Sequence, residues 1–199
     1  MEQIGHSPVR GPRPMRADSE RTVLTILSAA ERMLRKDPSA SIQQIADSAG
    51  VARTTVHRRF ATREVLIAAM SAHATQEFSA AVDSCRPEAL PPGVALHRVT
   101  AKVLAVKMRW GFALANVSPA DVQSTRVHVE VLERCDRLFR RAQEAGLLCT
   151  DVDLTWIRRV YYALVGAAAE GEVASGRAEE LATLVVDTLM RGVGAKHAL

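Results

Sequence analysis

Three arginines, two threonines and a histidine stand close together near the N-terminus, and no acid lies between them. These residues are Arg53, Thr54, Thr55, His57, Arg58 and Arg59. Cations pair with phosphate oxygens, and arginine and threonine can also donate hydrogen bonds to base edges in the major groove of DNA. The cluster therefore indicates nucleic-acid recognition, and Gln43 is a weaker candidate for a base contact.

The residues around this cluster predict two short helices joined by a tight turn. Ser41 can cap the first helix, and Gln44 occupies the third helical position of a capping box. Gly50 follows at the point where the chain must adopt a left-handed conformation. The second helix is predicted over 52–59. Apolar residues at helical spacing predict the buried faces: Ile42, Ile45, Ala46 and Ala49 on the first helix, and Val56 and Phe60 on the second.

Charge is unevenly distributed along the 199-residue chain, whose formal net charge is +4. Residues 1–63 carry 11 Lys and Arg against 6 Asp and Glu, whereas residues 64–199 carry 15 against 16. The positive charge is thus concentrated on the segment that would face phosphates. The alternative, a helix pair that has nothing to do with DNA, is less consistent with an outer face of three arginines and no acid.

The order of elements around the helix pair resembles that of the TetR family of bacterial transcriptional regulators. An amphipathic helix is predicted before the pair, over 20–36, and the segment Thr62–Leu66 begins a long fourth helix after it. One departure is His57, which stands where the family usually has tyrosine, so this contact becomes sensitive to protonation. With the cationic face, the resemblance makes Arg53, Thr54, Thr55 and His57 the base-edge candidates and assigns Arg58, Arg59 and Arg63 to phosphates.

Three segments are predicted along the chain. Residues 1–17, rich in proline, glycine and arginine, are expected to form a flexible basic arm. The arm could follow the DNA backbone or enter the minor groove, or it could have no role. Residues 18–63 are expected to form the helix-turn-helix DNA-binding domain, and the resemblance implies that residues 64–199 form a C-terminal ligand-binding and dimerisation domain.

The C-terminal segment is helical in pattern, so the fold class is all-α. Apolar periodicity predicts helices over 62–84, 94–117, 120–145, 154–175 and 178–192. Ser118 and Pro119 could open the third of these helices, and Asp153 could cap the fourth.

Small residues recur every four positions near the end of the chain and would allow another helix to approach closely. They are Ala163, Ala167 and Gly171, and Leu181 and Val185 belong to an apolar stripe on the last helix. The resemblance implies that these two helices pair with their copies in a homodimer. The alternative is that the small residues pack only within one subunit.

The resemblance also implies a pocket for a small effector among the C-terminal helices. Bulky or adaptable residues are the lining candidates: Met70, Phe78, Met108, Trp110, Phe112, Tyr161 and Tyr162. Possible polar contacts are His73, His97, Arg109 and His128. A mostly apolar lining would suit a hydrophobic or amphipathic molecule, whose identity the sequence does not give.

Several function classes are disfavoured by what the sequence lacks. Cys85, Cys135 and Cys149 are odd in number and have no metal-binding spacing, which favours a reducing cytoplasm, and no cofactor motif is recognised. No apolar run suits a signal peptide or membrane span, and no catalytic motif indicates an enzyme. Together with the resemblance, the sequence predicts a repressor that binds an inverted repeat as a dimer and is released by a small hydrophobic effector. The alternative is an architectural or partner-recruiting DNA-binding protein without an effector.

Overall fold

A computed structural model describes residues 13–170 and 177–194 of the chain. Within these ranges the chain is all-α, as predicted, with nine α-helices and no strand beyond an isolated bridge between Leu148 and Gly194. The helices are α1 Arg13–Lys36, α2 Ile42–Ala49, α3 Arg53–Arg59, α4 Arg63–Ser84, α5 Pro92–Arg109, α6 Gly111–Ala115, α7 Val122–Glu144, α8 Leu154–Ala169 and α9 Ala178–Val193. None of these described helices has the length and apolarity that a membrane crossing requires. The chain divides into two compact units, Met1–Arg63 and Glu64–Leu199.

In the first unit, α1 packs against α2 and α2 packs against α3. The side chains that fill this small core are fully or almost fully buried: Ile26, Leu27, Ala30, Leu34, Ile45, Ala46, Val56 and Phe60. The spacing of these residues matches the apolar periodicity of the three helices, because a helix buries the face on which every third or fourth residue is apolar.

The first helix begins earlier than the sequence pattern predicts. Helix α1 starts at Arg13, so residues 13–17, which were predicted to belong to a flexible arm, are helical. Pro14 is compatible with this start, because its missing N–H falls in the first turn, where no intrahelical acceptor exists. The rest of the predicted arm, residues 1–12, lies outside the described residues.

In the second unit, α5 packs against α7, α8 and α9, and α8 also packs against α7 and α9. Large side chains fill the space between these helices, among them Leu96, Leu104, Phe139, Ile157, Tyr161 and Leu189. Phe139 and Tyr161 meet edge to face, with ring centroids 5.4 Å apart. The result is a well-packed core centred on α5.

The helix predicted over 94–117 is broken at Trp110. Helix α5 ends at Arg109, Trp110 has φ −123° and ψ 34°, and α6 begins at Gly111. The Trp110 side chain is 2% exposed, and its indole N–H donates to Glu77 Oε2 over 3.1 Å. We attribute the break to this buried anchor and to the low helix propensity of the following glycine.

Two other boundaries differ from the predictions. Helix α7 is capped by Asp121, whose carboxylate accepts from the backbone N–H groups of Gln123 and Ser124, so Ser118 and Pro119 precede the helix without capping it. Helix α8 is capped by Asp153 as predicted. It ends at Ala169, and the last predicted residues of this helix fall mainly in 171–176, outside the described residues.

Candidate nucleic-acid interface and effector cavity

The turn between α2 and α3 has the geometry that the sequence predicted. The N–H of Gln44 donates to Ser41 Oγ over 3.3 Å, and the N–H of Ser41 donates to Gln44 Oε1 over 2.8 Å. Gly50 has φ 67° and ψ 29°, and its N–H donates to backbone carbonyls in the last turn of α2. The capping box and the left-handed glycine are therefore confirmed.

The burial of α3 leaves its polar face outside. Val56 is 0% and Phe60 is 6% exposed, which confirms that both point inwards. The opposite face carries Arg53, Thr54, His57, Arg58 and Arg59, all exposed, and Thr55, which is half-buried. An exposed helix with such a face has the dimensions and donors to enter the major groove of B-DNA.

Gln43, the weaker base candidate, is exposed on α2. Its side-chain nitrogen donates to Asp47 Oδ1, one turn later, over 2.8 Å. This bond holds the amide along the surface of α2, so a base contact from Gln43 would require the side chain to leave Asp47.

Arg53 and His57 interact on the exposed face of α3. Arg53 Nε donates to His57 Nε2 over 3.3 Å. An imidazole nitrogen accepts a hydrogen bond only when it carries no proton. Protonation of His57 would therefore free Arg53 and add a positive charge to the same face.

Arg63 has a different environment from the arginines of α3. Its guanidinium donates to the backbone carbonyls of Pro38 and Ala40, in the segment between α1 and α2. The side chain is half-buried. These contacts hold the inter-helix segment in place, whereas the family resemblance assigns Arg63 to phosphate binding.

The second unit contains a cavity of about 460 Å³ between its helices. It is lined by Thr75 and Phe78 of α4, Val103 and Lys107 of α5, Leu114 of α6, Val117, Ser118 and Pro119 of the following loop, Ser124, Thr125, Val127 and Val131 of α7, and Tyr162 and Val165 of α8. Ser118, Pro119 and Thr125 are exposed, which places the mouth of the cavity at the start of α7. Its volume is within the range of small-molecule sites.

Most of the predicted lining residues lie elsewhere. Of the seven, Phe78 and Tyr162 line the cavity. Met70, Trp110 and Tyr161 are buried in packed regions, and Met108 and Phe112 are half-buried away from the cavity. The Tyr161 hydroxyl lies 3.1 Å from Thr100 Oγ1, and this pair is fully buried. The large side chains of Met70, Trp110 and Tyr161 therefore fill the core and do not line a cavity.

Three of the four polar residues predicted for the pocket are engaged elsewhere. His73 meets the Trp110 ring edge to face at 5.0 Å, and Arg109 pairs with Glu77. His73 Nε2 lies 3.0 Å from Glu77 Oε1, although the angles are not those of a hydrogen bond. His97 Nε2 is 2.9 Å from Thr183 Oγ1. The side chain of His128 lies outside the described part of the structure.

The cavity has polar groups of its own, of which the sequence indicated Tyr162 but not Thr75 or Lys107. The Thr75 hydroxyl donates to the Ser71 carbonyl over 2.8 Å, and the Tyr162 hydroxyl donates to Cys135 Sγ over 3.7 Å. Burial raises the pKa of Tyr162, so its phenol stays neutral. Lys107 lies one turn after Val103 on α5. Lys107 could have been recognised from the sequence as a single cation on an otherwise apolar helix face.

The predicted dimer residues are divided between surface and core. Ala163 and Ala167 are exposed on α8, and Leu181 is half-buried on α9. Val185 is 3% exposed and belongs to the core of the second unit, so it is not available to a partner. Leu184, next to it, is 61% exposed. Gly171 lies outside the described residues.

No group of three or more His, Cys, Asp or Glu side chains in the described ranges could hold a metal ion. Cys85 and Cys135 are buried, and burial raises the pKa of both thiols. A buried thiol with a raised pKa is a poor nucleophile, because the thiolate is the reactive form. These two cysteines therefore act as small core residues.

Comparisons of sequence agree with this geometry. Residues 26–70 match the family model of bacterial regulatory proteins of the tetR family. The HTH-type transcriptional repressor LfrR of Mycolicibacterium smegmatis is 26% identical over 174 residues, covering 87% of this chain and 91% of that protein. The HTH-type transcriptional regulator NfxB of Pseudomonas aeruginosa is 25% identical over 166 residues, covering 76% of this chain and 89% of its own.

Solved structures have the same fold. The TetR-like regulator LfrR from Mycobacterium smegmatis in complex with proflavine superimposes with a TM-score of 0.70 at 26% identity, covering 92% of this chain and 99% of that one. The TetR family regulator PfmR from Thermus thermophilus gives a TM-score of 0.69 at 20% identity, over 83% of this chain and 97% of that one.

The capped helix pair, the exposed cationic face of α3 and the all-α second unit define a helix-turn-helix regulator of transcription. The family match and the similarity to LfrR along most of the chain make the assignment more specific. Residues 26–70 carry the DNA-binding helices typical of the tetR family, and the chain as a whole is similar to transcriptional regulators of that family.

Proposed function

We propose that the protein is a repressor that binds an inverted-repeat operator as a homodimer and leaves it when a small hydrophobic effector binds. The exposed face of α3 is the observation that carries the proposal, because it presents cations and hydroxyls without an acid. Such a face supports base reading from Arg53, Thr54, Thr55 and His57 and phosphate contacts from Arg58 and Arg59. The protein would act on DNA in the cytoplasm, without catalysis.

A homodimer is expected because a single helix-turn-helix is small. One helix-turn-helix makes few base contacts, whereas a two-fold dimer reads two half-sites about 34 to 36 Å apart. Ala163 and Ala167 lie exposed on α8, and Leu184 lies exposed on α9, which packs against α8 within the subunit. A second copy placed on this surface would cover exposed apolar side chains.

An effector would bind in the 460 Å³ cavity of the second unit. Met70, Trp110 and Tyr161 are buried in packed regions and leave no space for a ligand. We therefore place the candidate site in the cavity lined by Phe78, Val103 and Val131. LfrR has been solved with proflavine, which supports a small-molecule site in this fold. The cavity favours this function over an architectural protein whose second unit only dimerises.

Helix α4 gives the cavity a route to the DNA-binding helices. Thr75 and Phe78 line the cavity, and the same helix begins at Arg63, directly after the helix-turn-helix. A ligand that displaces this helix would change the distance between the two helix-turn-helix units of the dimer. Ligand and operator should then weaken each other's binding by a coupling of about 1 to 3 kcal/mol.

Selection of double-stranded DNA from a random pool tests the proposal. We expect enrichment of an inverted repeat whose half-sites are separated by about one helical turn. Arg53→Ala should relax sequence preference in each half-site at a cost of about 1 to 3 kcal/mol. Arg58→Ala, the matched control on the same helix, should weaken binding to all sequences alike. A pool without any enriched repeat would refute the operator-binding proposal.

A further inference from the structure

The cavity has one charged side chain in its described lining. Lys107 stands among eight apolar residues and five neutral polar ones. Its side chain is half-buried, and no carboxylate of the described residues lies within 4.0 Å of its amine. An ammonium that has lost part of its hydration in apolar surroundings is stabilised by an anion.

Two acids that lie close to this lining along the chain are already engaged. Glu77 precedes Phe78, but its carboxylate pairs with Arg109 and accepts from the Trp110 indole. Asp121 lies close to Ser124 in the chain and accepts from two backbone N–H groups and from the Ser124 hydroxyl, over 2.6 Å for the hydroxyl. These donors hold the pKa of Asp121 below its usual range. Both carboxylates are thus directed at protein donors.

We infer that the cavity binds an amphipathic organic anion, with its apolar body along Phe78, Val103 and Val131 and its acidic group at Lys107. This inference rests on the proposed effector function and makes it more specific. Proflavine, which LfrR has been solved with, is a cation near neutral pH. A cation in this cavity would face Lys107 and find no lining carboxylate among the described residues, so this chain should differ from LfrR in the charge of its ligand.

The test uses three naphthalene probes of similar size that differ in charge: 2-naphthoate, 2-naphthamide and 2-naphthylmethylammonium. Isothermal titration of the full-length protein should give the tightest binding for the anion and the weakest for the cation. Lys107→Met should weaken naphthoate about tenfold, as the loss of a charged hydrogen bond predicts, and leave naphthamide nearly unchanged. Lys107→Glu should reverse the order of anion and cation.

Lys102→Met is the matched control. Lys102 lies on the same helix and is exposed, and it does not line the cavity. This variant removes the same charge from the surface, so it should leave the order and affinities of all three probes unchanged. An equal loss of naphthoate affinity in Lys102→Met and Lys107→Met would show a general charge effect and overturn the assignment.

Release of selected operator DNA separates this inference from the proposed function. Naphthoate binding that depends on Lys107 but releases no DNA would support the anion site and contradict the proposed release of DNA by an effector. DNA release by the cation as readily as by the anion, unaffected by Lys107→Glu, would support the mechanism and overturn the charge preference. Failure of all three probes to bind at millimolar concentration would overturn the anion site.

Discussion

Arg63 joins the start of α4 to the segment between α1 and α2, because its guanidinium donates to the carbonyls of Pro38 and Ala40. Both carbonyls lie outside a helix, so without Arg63 they lose a charged donor. A sequence pattern cannot distinguish such an arginine from one that faces a phosphate, because both are cations beside a helix-turn-helix. The distinction comes from a contact between residues more than 20 positions apart.

Replacement of Arg63 tests this structural role. Arg63→Ala should lower the free energy of unfolding by about 1 to 3 kcal/mol, because it removes hydrogen bonds from a charged donor. Arg59→Ala, at an exposed position of α3, should change stability by less than about 0.5 kcal/mol. Urea denaturation followed by circular dichroism measures both. An unchanged denaturation midpoint for Arg63→Ala, together with weaker binding to all DNA sequences, would show that Arg63 contacts phosphates and does not stabilise the fold.

At the level of helices, the sequence predicted those features that depend on neighbouring residues. The capping box of Ser41 and Gln44, the left-handed Gly50 and the Asp153 cap all involve groups within a few positions of each other. Local hydrogen bonds of this kind are specified by residue type and spacing. The exposed cationic face of α3 was also predictable, since the burial of Val56 and Phe60 orients the whole helix.

The break at Trp110 and the cavity of the second unit could not be predicted in this way. Apolar residues continue through 94–117, and the anchor that ends α5 is a hydrogen bond from Trp110 to Glu77 on another helix. The cavity is lined largely by valine, threonine and serine, whereas the bulky residues fill the core. Periodicity shows which face is buried, but the space left between faces depends on how helices pack.

Gly50 provides a test of the turn between α2 and α3. A Cβ at this position would meet nothing within 4 Å, so the cost of Gly50→Ala comes from its φ of 67° alone. We expect a loss of about 1 to 2 kcal/mol in stability, and a smaller loss for Gly50→Asn, because asparagine tolerates the left-handed region better. Thermal unfolding of the two variants makes the comparison. Equal losses would show that backbone conformation is not the cause.

At the level of the whole molecule, the excess of positive charge and most of the exposed large apolar side chains lie in different parts of the chain. The excess of positive charge lies in residues 1–63, while α8 and α9 of the second unit expose Ala163, Ala167 and Leu184. Trp156 at the start of α8 is also 54% exposed. We therefore expect DNA contacts and subunit contacts to be separable by mutation.

Ala167→Arg is the mutation that makes this separation. It introduces a long charged side chain at an exposed position that a second copy would have to approach closely, so it should produce monomers with an unchanged helical spectrum. Because a monomer reads one half-site, its affinity for the inverted repeat should fall by a factor on the order of 10² or more, while its affinity for a single half-site should stay the same. Sedimentation at micromolar concentration and DNA titration measure the two effects.

Ala80→Arg places the same side chain at an exposed position of α4 and is the control, which should remain dimeric and bind the operator as the parent does. A parent protein that sediments as a monomer would exclude the homodimer. A dimeric Ala167→Arg variant would place the interface on another surface. That surface would then set the distance between the two helix-turn-helix units, so an effector in the cavity would have to release DNA by changing that surface.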